Sequence, residues 1–440
     1  MNLVYGSGVT GLATTKYLHK TGQPVVLFDS KNIKGNAKSY CDSEGIPFYT
    51  ENLPEGLLKN FRKIYISPGI PQSAPILTLA RTMNIEITND INIASSQFDG
   101  HIIAVTGTNG KSTVTSLIAF MFQQLGFRAE TAGNIGVSPL DFIMEPRPPD
   151  ILVLELSSYQ LETTRNLSAG VSVFTSFAPD HLERHGTIEN YLAEKLKLID
   201  QTKEDGALVF SECFWKFVPQ DYLRKHSARA FVLKSSVETE TVDRVSEYEA
   251  NMIHSSQLET EFSIPRSWPH INRINGGLAA MAVKQLLHND LVNKNIDWSQ
   301  FRFLPYRMQL VKTVNSCSII NDSKSTNLES TIAAISSMKS MFYLFLGGVS
   351  KGESFEALKH FKHRFKKVLL FGSSAKQIFA DIGVEQSLIF DDLASALEYF
   401  NKHFRQLDAD VLFSPGGASF DEFGNYLERG EFFSENILKT

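Results

Sequence analysis

The sequence predicts an α/β protein with mostly parallel sheets, divided into two or three domains. Short apolar runs recur along the chain, each followed by small or polar residues and then by a helical pattern. Runs rich in Val, Ile, Leu and Phe without polar alternation are typical of strands that helices cover on both faces. The length of 440 residues exceeds the roughly 250–300 residues at which a single core stops growing. The predicted strands are LVYG (3–6), VVLFD (25–29), IYISPG (64–69), IIAVTG (102–107), ILVLELSS (151–158), VSVFTS (171–176), IINDS (319–323), FYLFLGG (342–348), VLLFG (368–372) and VLFSPG (411–416).

The composition is that of an ordinary soluble globular protein, with 42% hydrophobic and 21% charged residues. A net charge of −5 gives no electrostatic reason to expect nucleic acid or an anionic membrane as a partner. The three cysteines lie far apart in the sequence, which predicts reduced thiols and neither a disulfide framework nor a zinc site. The first residues already form a strand, and no window reaches the ~18–20 apolar residues of a membrane span. We therefore expect a cytoplasmic protein.

The first turn of the chain is glycine-rich. Gly6, Gly8 and Gly11 form G-x-G-x-x-G after the first strand, and Asp29 ends the second strand. Such a turn delivers a helix N-terminus, which favours a diphosphate. NAD, a UDP-linked compound or another nucleotide would satisfy the pattern equally well. A turn that merely packs a helix on a strand is a further reading.

The stretch VTGTNGKST (105–113) follows another predicted strand and resembles a phosphate loop with shortened glycine spacing. Asn109-Gly110 favours a positive φ, which lets successive N–H groups converge on an anion. Lys111 adds a point charge, and Ser112 or Thr113 offers a hydroxyl to Mg²⁺ at the start of the helix. This order of elements predicts a site for ATP phosphates.

An acidic residue interrupts the next buried run, because Glu155 lies within ILVLELSS. Burial of a carboxylate is costly unless it meets a cation, so Glu155 is a candidate Mg²⁺ ligand, with an ion pair in the sheet as the alternative. His181 follows a strand end and is expected to reach the same region. His185 is expected to be a loop or surface side chain. The pattern does not distinguish Lys195 from Lys197.

Cations and hydroxyls also follow strands in the last third of the chain, where they suit a small anionic substrate and phosphate stabilisation. They are Arg307, Asp322, Lys324, Thr326, Lys351, Ser419 and Phe420. The middle segment 211–268 is polar and irregular, and predicts only an exposed part of a middle domain.

Taken in order along the full chain, TGTNGKST, LELSSYQLE, a D-H pair after a strand, NDSKSTN and SPGGASFDEF resemble the motifs of the ATP-dependent Mur ligases of peptidoglycan synthesis. The shortened loop is itself the form found in that family. SSYQLE and NDSKSTN are similar to the family member that adds D-glutamate, whereas its siblings differ at the NDSKSTN position.

The resemblance implies three domains. A Rossmann-like UDP-substrate domain is expected at 1–95, a central P-loop ATPase-type domain with a mostly parallel sheet at 96–303, and a C-terminal Rossmann-like domain for ATP and D-glutamate at 304–440. It implies a monomer with UDP-N-acetylmuramoyl-L-alanine, D-glutamate and ATP as substrates, joined through an acyl-phosphate intermediate. Two Mg²⁺ ions and a carbamylated Lys195 are also implied.

The resemblance further implies a role for each matching residue. The catalytic residues are expected to be Lys111, His181 and Lys195. ATP would contact Gly107, Thr108, Asn109, Gly110, Lys111, Ser112, Thr113, Asn272, Arg307, Asp322 and Lys324. The metal ligands would be Ser112, Glu155, His181 and Lys195. The UDP substrate would contact Val9, Thr10, Asp29, Ser30 and Asn134. D-Glutamate would contact Thr326, Lys351, Ser419 and Phe420.

Rival functions remain open on the sequence. A folylpolyglutamate synthase-like ligase shares the central ATPase logic but is expected to lack a UDP-binding first domain, and another Mur ligase would add a different amino acid. An NAD-dependent dehydrogenase would use Gly6 to Gly11 and leave Lys111 unexplained. A non-catalytic nucleotide sensor would tolerate loss of Glu155, Lys195 or Lys324, yet all three are present.

Overall fold

A computed structural model describes residues 1–33, 35–226, 229–234, 251–287, 296–350 and 352–439. The predicted D-glutamate contact Lys351 lies outside the described residues. The chain divides into two compact units, of which the first comprises Met1–Trp268 with Asn272–Phe301 and the second Pro269–Ile271 with Arg302–Thr440. Among the described residues, no helix combines the length and apolarity that a membrane crossing requires. The three cysteines are all free thiols.

The first unit begins with a parallel sheet that the described residues form in the order β3-β2-β1-β4-β5. Its strands and helices are β1 (Asn2–Tyr5), α1 (Val9–Lys20), β2 (Val25–Asp29), α2 (Gly35–Glu44), β3 (Phe48–Thr50), β4 (Lys63–Ile66), α3 (Pro75–Thr82), β5 (Glu86–Thr88) and α4 (Asp90–Gln97). Leu3, Val4, Leu27 and Ile64 are fully buried, as expected for strands covered on both faces. A Cβ on Gly11 would lie 1.7 Å from the Gly6 carbonyl oxygen, so only glycine lets α1 approach the turn this closely.

A second parallel sheet in the same unit has the order β12-β11-β10-β9-β6-β8-β7 within the described residues. Its elements are β6 (His101–Thr106), α5 (Lys111–Gln124), β7 (Ala129–Gly133), α6 (Pro139–Ile143), β8 (Ile151–Glu155), α7 (Ser158–Leu161), β9 (Ala169–Phe174), α8 (Leu182–His185), α9 (Ile188–Asp200), β10 (Thr202–Ser211), α10 (Glu212–Trp215), α11 (Gln220–His226), β11 (Ala230–Lys234), β12 (Asn251–His254), α12 (Ser255–Glu261) and α13 (His270–Leu286). The expectation that 211–268 is an exposed part of a middle domain holds for only some of its described residues. Leu233 and Leu258 are buried there, and β11 and β12 extend the sheet.

The second unit holds one sheet in the described residues, with the order β13-β14-β18-β15-β16-β17. Its elements are β13 (Gln309–Val314), β14 (Cys317–Asn321), α14 (Leu328–Ser337), β15 (Phe342–Gly347), β16 (Phe365–Phe371), α15 (Ala375–Ile382), β17 (Ser387–Ile389), α16 (Leu393–His403), β18 (Asp410–Gly416) and α17 (Tyr426–Asn436). The β13–β14 pair is antiparallel and the other pairs are parallel. The prediction of a mostly parallel α/β fold is therefore confirmed. The three domain boundaries stay a prediction.

One buried carboxylate makes stability depend on pH. Asp90 is 2% exposed at the first position of α4; Ser138 Oγ donates to its Oδ2 at 2.8 Å, and its Oδ1 is buried without a hydrogen-bond partner. Burial raises the pKa of Asp90 to about 6 from the ordinary 3.8, outweighing the opposing bond from Ser138. Between these pH values the folded protein binds more protons than the unfolded chain, so the free energy of unfolding falls as pH rises.

We expect the Asp90→Asn substitution to remove this penalty. Relative to the wild type, its free energy of unfolding should rise by about 2 kcal/mol between pH 4 and pH 7. Urea unfolding at several pH values measures the difference. Asp205→Asn, which changes an exposed aspartate, should show no such trend. A constant difference between Asp90→Asn and the wild type across this range would contradict the prediction.

Candidate active site

The loop between β6 and α5 has the backbone of an anion cradle. Gly107 has φ +145° and Gly110 has φ +85°, and a Cβ on Gly107 would lie 2.1 Å from Thr175 Oγ1. Gly110 is the N-cap of the 14-residue helix α5 and uses no side chain to cap it. The loop thus leads directly into the start of α5, and the first N–H groups of an α-helix have no carbonyl acceptor within the helix, which is the arrangement that binds phosphate.

Strand β9 holds this loop in place. The Thr108 N–H donates to the Ser176 carbonyl oxygen and the Asn109 N–H to Ser176 Oγ, each at 2.8 Å. Thr175 Oγ1 donates to the Asn109 carbonyl oxygen at 2.6 Å. These bonds keep the cradle rigid before any ligand arrives, so a bound phosphate would not have to order the loop.

Two lysine amines meet at one carbonyl of the loop. Lys111 Nζ donates to the Gly107 carbonyl oxygen at 2.9 Å and to that of Thr108 at 2.8 Å, and Lys195 Nζ donates to the Gly107 oxygen at 2.8 Å. Lys195 is 1% exposed, and its Nζ lies 4.4 Å from the centre of the Tyr191 ring. Burial, followed by the charge of Lys111, holds the pKa of Lys195 well below its usual range. The structure thus places two amines of different character beside the loop.

The structure also separates the two lysines that the sequence pattern left equivalent. Lys197 is partly exposed and pairs with Glu194 at 2.5 Å on the surface of α9. Lys195 shares the buried face of α9 with Tyr191, Leu198 and Ile199. The spacing of these four residues is a helical repeat that could have identified Lys195.

Glu155 ends β8 beside the loop, since β8 pairs with β6 so that Glu155 lies opposite Val105. Its side chain is buried, Asn134 Nδ2 donates to Oε1 at 2.8 Å, and Oε2 has no hydrogen-bond partner. A buried carboxylate oxygen left without a donor is costly unless a cation binds it. Oε2 therefore fits a hard metal ion such as Mg²⁺. Ser112, the second residue of α5, is half-buried near the start of the same helix.

His181 follows β9 and precedes α8 in a left-handed backbone conformation with φ +56°. Its Nδ1 lies 3.0 Å from the Tyr159 hydroxyl, and its Nε2 lies 3.7 Å from Asp180 Oδ2. In the part of the chain that the structure describes, no three or more His, Cys, Asp or Glu side chains form a metal-binding group. The predicted set of Ser112, Glu155, His181 and Lys195 stays a prediction.

His185 was wrongly expected to be an ordinary loop or surface side chain. It is 9% exposed, and its Nε2 lies 3.0 Å from Ser158 Oγ on α7. Burial lowers the pKa of His185. A single sequence could not indicate this contact, because Ser158 and His185 lie on different helices, 27 positions apart in the chain.

The side chain of Asp29 accepts hydrogen bonds from the first glycine-rich turn and from the residues after β2. The Ser7 N–H and hydroxyl donate to Asp29 Oδ2 at 2.8 and 2.7 Å, and the Lys31 N–H donates to Oδ1 at 3.0 Å. Val9 is 59% exposed at the start of α1, with Thr10 half-buried and Ser30 exposed beside it. The structure thus groups four of the predicted UDP contacts, whereas Asn134 lies in the second sheet, next to Glu155.

Helix α13 also meets the phosphate loop. Asn272 is 8% exposed on this helix, and Asn275, one turn later, is 5% exposed. A Cβ built on Gly110 would lie 3.0 Å from Asn275 Oδ1. Asn275 was not identified from the sequence, although its i+3 spacing from Asn272 puts the two on one face of the helix.

In the second unit, Asp322 joins three segments. Its Oδ1 accepts from the Met308 N–H at 3.1 Å, and its Oδ2 accepts from Ser414 Oγ at 3.0 Å and from Ser325 Oγ. Burial raises the pKa of Asp322 to about 6 even though these bonds oppose the shift. Lys324 Nζ lies 4.5 Å from the centre of the Tyr426 ring. Arg307 and Thr326 are half-buried nearby in the sequence.

Arg429 is a buried residue that sequence reasoning missed. It is 1% exposed, and its Nε, Nη2 and Nη1 donate to Ser323 Oγ (3.1 Å), the Ser323 carbonyl (2.8 Å) and the Gly417 carbonyl (3.0 Å). It thereby connects the segments that carry the predicted ATP and D-glutamate contacts. Ser419 is 2% exposed, whereas the neighbouring Phe420 is 76% exposed. A buried hydroxyl is thus followed by an exposed aromatic ring.

A groove of about 1040 Å³ lies elsewhere in the first unit. It is at the opposite, amino-terminal edge of the first sheet, where Asn2, Lys63 and Glu86 begin their strands, and Arg62 and Arg165 also line it. Of the predicted site residues that the structure describes, none lines this groove. In open α/β sheets, ligands gather at the carboxyl ends of strands, so we take the loops described above as the candidate site.

Two family models and full-length relatives match this chain. Residues 1–89 match the family model for the Mur ligase MurD-like N-terminal domain, and residues 105–279 match that for the Mur ligase middle domain. A UDP-N-acetylmuramoylalanine–D-glutamate ligase from Thermoanaerobacter sp. (strain X514) is 31% identical, covering 99% of this chain and 98% of its own. A ligase of the same name from Legionella pneumophila (strain Paris) is 30% identical with the same coverage.

Solved structures resemble the whole chain at low sequence identity. UDP-N-acetylmuramate–alanine ligase from Thermotoga maritima matches with a TM-score of 0.55 and 16% identity, over 99% of this chain and 98% of its own. MurF ligase from the same organism, in complex with ADP, matches with a TM-score of 0.57 and 15% identity, over 93% and 95%. At these identities the likeness establishes the fold.

Proposed function

The chain belongs to the Mur ligase family, and we propose that it is the ATP-dependent ligase that joins D-glutamate to the carboxylate of UDP-N-acetylmuramoyl-L-alanine. Its full-length relatives carry that name. The structural observation that carries the chemistry is the convergence of the Lys111 and Lys195 amines on the Gly107 carbonyl at the phosphate loop. The product is a peptidoglycan precursor.

The reaction needs activation of a carboxylate, because joining it to an amine in water is unfavourable. The carboxylate oxygen attacks the γ-phosphorus of ATP, and the bond to the bridging oxygen breaks to leave ADP and an acyl phosphate. Lys111 would neutralise charge on the phosphoryl oxygens, while the N–H groups at the start of α5 hold the phosphates in line. The neutral D-glutamate amine then attacks the acyl carbon, and the tetrahedral intermediate expels phosphate while the nitrogen loses a proton to solvent, which gives the amide.

Magnesium fits the proposed site because Glu155 Oε2 is a buried anionic oxygen without a donor. We propose Ser112, Glu155, His181 and Lys195 as ligands of two ions, which would supply charge neutralisation at the phosphates. The low pKa of Lys195 supports a carbamate there, because a neutral amine can add carbon dioxide with loss of a proton. Asn134 would orient Glu155 through Oε1 as well as contact the sugar substrate.

We assign the other predicted contacts by unit. Val9, Thr10, Asp29 and Ser30 of the first sheet would hold the UDP moiety at the start of α1. Asn272 would contact ATP, as would Arg307, Asp322 and Lys324 of the second unit. Thr326, Ser419 and Phe420 are proposed for D-glutamate. We further propose that the enzyme is a monomer. We place it in the cytoplasm, because ATP and nucleotide-linked substrates are available there.

The substrate assignment is tested by phosphate release from ATP. In one series, purified protein receives ATP, UDP-N-acetylmuramoyl-L-alanine and one amino acid, which is D-glutamate, L-glutamate, L-alanine or meso-diaminopimelate. In a second series, UDP-N-acetylmuramate or dihydropteroate replaces UDP-N-acetylmuramoyl-L-alanine as the carboxylate substrate. We expect release only when UDP-N-acetylmuramoyl-L-alanine and D-glutamate are both present. Release with another pair and none with this one would overturn the assignment, and release with dihydropteroate would favour a folylpolyglutamate synthase-like ligase.

A further inference from the structure

The hydroxyl of Tyr159 lies within hydrogen-bond distance of both His181 Nδ1 and the Glu183 carboxylate, whose Oε1 is 3.5 Å from the same nitrogen. Tyr159 lies on α7, and its Oη is 3.0 Å from His181 Nδ1 and donates to Glu183 Oε1 at 3.3 Å. The Tyr159 and His181 rings are 5.0 Å apart between centroids and tilted by 57°. The three side chains come from α7, the turn before α8, and α8 itself, so the contact depends on how these elements pack.

Arg184 holds the tyrosine ring in this position. Its guanidinium carbon lies 4.5 Å from the centre of the Tyr159 ring. Its Nε and Nη2 donate to the two carboxylate oxygens of Glu162 at 2.9 and 2.6 Å, and Nη2 also donates to the Ile70 carbonyl at 2.9 Å. The Arg184 and Glu162 side chains are only 12% and 10% exposed. A bidentate pair of this kind is geometrically rigid, so Tyr159 cannot rotate freely.

The direction of these hydrogen bonds determines which nitrogen of His181 carries the proton. The Tyr159 hydroxyl has one proton, and when it donates that proton to Glu183 its oxygen accepts from His181 Nδ1–H. The lone pair of His181 is then on Nε2, the nitrogen on the side of the Asp180 carboxylate. This is the tautomer that a cation bound through Nε2 requires.

We propose that Tyr159 is a positioning residue, which fixes the His181 ring and its Nδ1–H tautomer through a hydrogen-bonded chain ending at Glu183. The inference rests on the proposed function, in which His181 is a metal ligand. Tyr159 touches neither metal nor substrate in this scheme and acts through His181. Its ring is retained in the Tyr159→Phe variant, which removes only the hydroxyl.

Metal affinity gives a readout that does not depend on turnover. Mn²⁺ binding to the protein with ADP, without the other substrates, is followed by electron paramagnetic resonance. We expect Tyr159→Phe to weaken Mn²⁺ binding about tenfold, because loss of a partner behind a metal ligand typically costs 10–100-fold. The matched control is Tyr343→Phe, which removes a hydroxyl that donates to Asp408 at 2.9 Å in the second unit, and it should bind Mn²⁺ as the wild type does.

A double-mutant cycle tests whether Glu183 acts through Tyr159. Glu183→Ala should weaken Mn²⁺ binding less than Tyr159→Phe, and the double variant should match Tyr159→Phe alone. Additive losses would refute the chain. In ¹⁵N spectra, with the His181 signal assigned by its loss in His181→Ala, the wild type should show the Nδ1–H tautomer and Tyr159→Phe a mixture.

Two results would overturn the inference: wild-type Mn²⁺ affinity in Tyr159→Phe, or unchanged affinity in His181→Ala. Circular dichroism of each variant checks that it has folded. The failure of the proposed function is separate, because it would be seen as absence of D-glutamate-dependent phosphate release by the wild type. A wild type that ligates D-glutamate while Tyr159→Phe binds Mn²⁺ normally would reject the role of Tyr159 alone.

Discussion

Replacing Lys111 by alanine is expected to lower kcat for D-glutamate-dependent phosphate release by about 10²–10³-fold, the usual cost of losing one donor to a transition-state oxyanion. In the structure, Lys111 Nζ rests on the carbonyl oxygens of Gly107 and Thr108. The Lys111 amine is therefore held against the backbone of the phosphate loop. When a nucleotide binds, the amine can donate to phosphoryl oxygens instead of these carbonyl oxygens. The measurement is steady-state phosphate release with saturating substrates.

The matched control for this experiment is Lys197→Ala. Lys197 is on the exposed face of α9, where it pairs with Glu194, and such surface pairs contribute little. This variant should keep nearly all the activity of the wild type. Thermal unfolding of both variants tests whether the loop has remained folded. Full activity in a folded Lys111→Ala protein would remove Lys111 from the phosphate site.

Replacing Arg429 by methionine is expected to destabilise the second unit by about 3 kcal/mol or more, since buried acceptors left without a donor cost about 1–3 kcal/mol each. Burial lowers the pKa of Arg429 to about 10, with Asp421 and Glu422 opposing the shift, so the guanidinium stays charged at neutral pH. The substitution leaves the oxygens of Ser323 and Gly417 without this donor. Denaturant unfolding measures the change.

The same substitution should also weaken the use of D-glutamate as a substrate. Because Arg429 connects the segments that carry Lys324 and Ser419, we expect a higher KM for D-glutamate at temperatures where the variant is still folded. Arg405→Met is the control, since Arg405 is exposed and surface changes usually stay within about 0.5 kcal/mol. Equal stability of the Arg429 and Arg405 variants would contradict the role given to the buried arginine.

Strands with continuous apolar runs were predictable from the sequence, and others were not. In β10 the exposed Lys203, Glu204 and Asp205 interrupt the strand between the buried Thr202 and the buried run at 206–211. The edge strand β13 has no fully buried residue, and Gln309, Lys312 and Thr313 break up its apolar residues, so the sequence shows no continuous apolar run there. Its antiparallel pairing with β14 depends on a turn that periodicity does not reveal.

The candidate site divides in the same way. The phosphate loop was readable because glycines and Lys111 lie within a few residues of one another, and their backbone conformation is local. The burial of His185 against Ser158 and the contact of Asn275 with Gly110 arise between elements far apart in the chain. The local pattern around each residue therefore did not predict these contacts.

Local sequence was enough for the α/β class, the parallel strands and the loop, because helix starts, glycine turns and apolar runs act over a few residues. Packing was needed to place Lys195 rather than Lys197 beside Gly107, to set Tyr159 between Arg184 and His181, and to bury Arg429 between two loops. Burial and hydrogen bonding are properties of the neighbours that folding supplies, and those neighbours can lie more than a hundred positions away, as Ser323 does at 106 positions from Arg429.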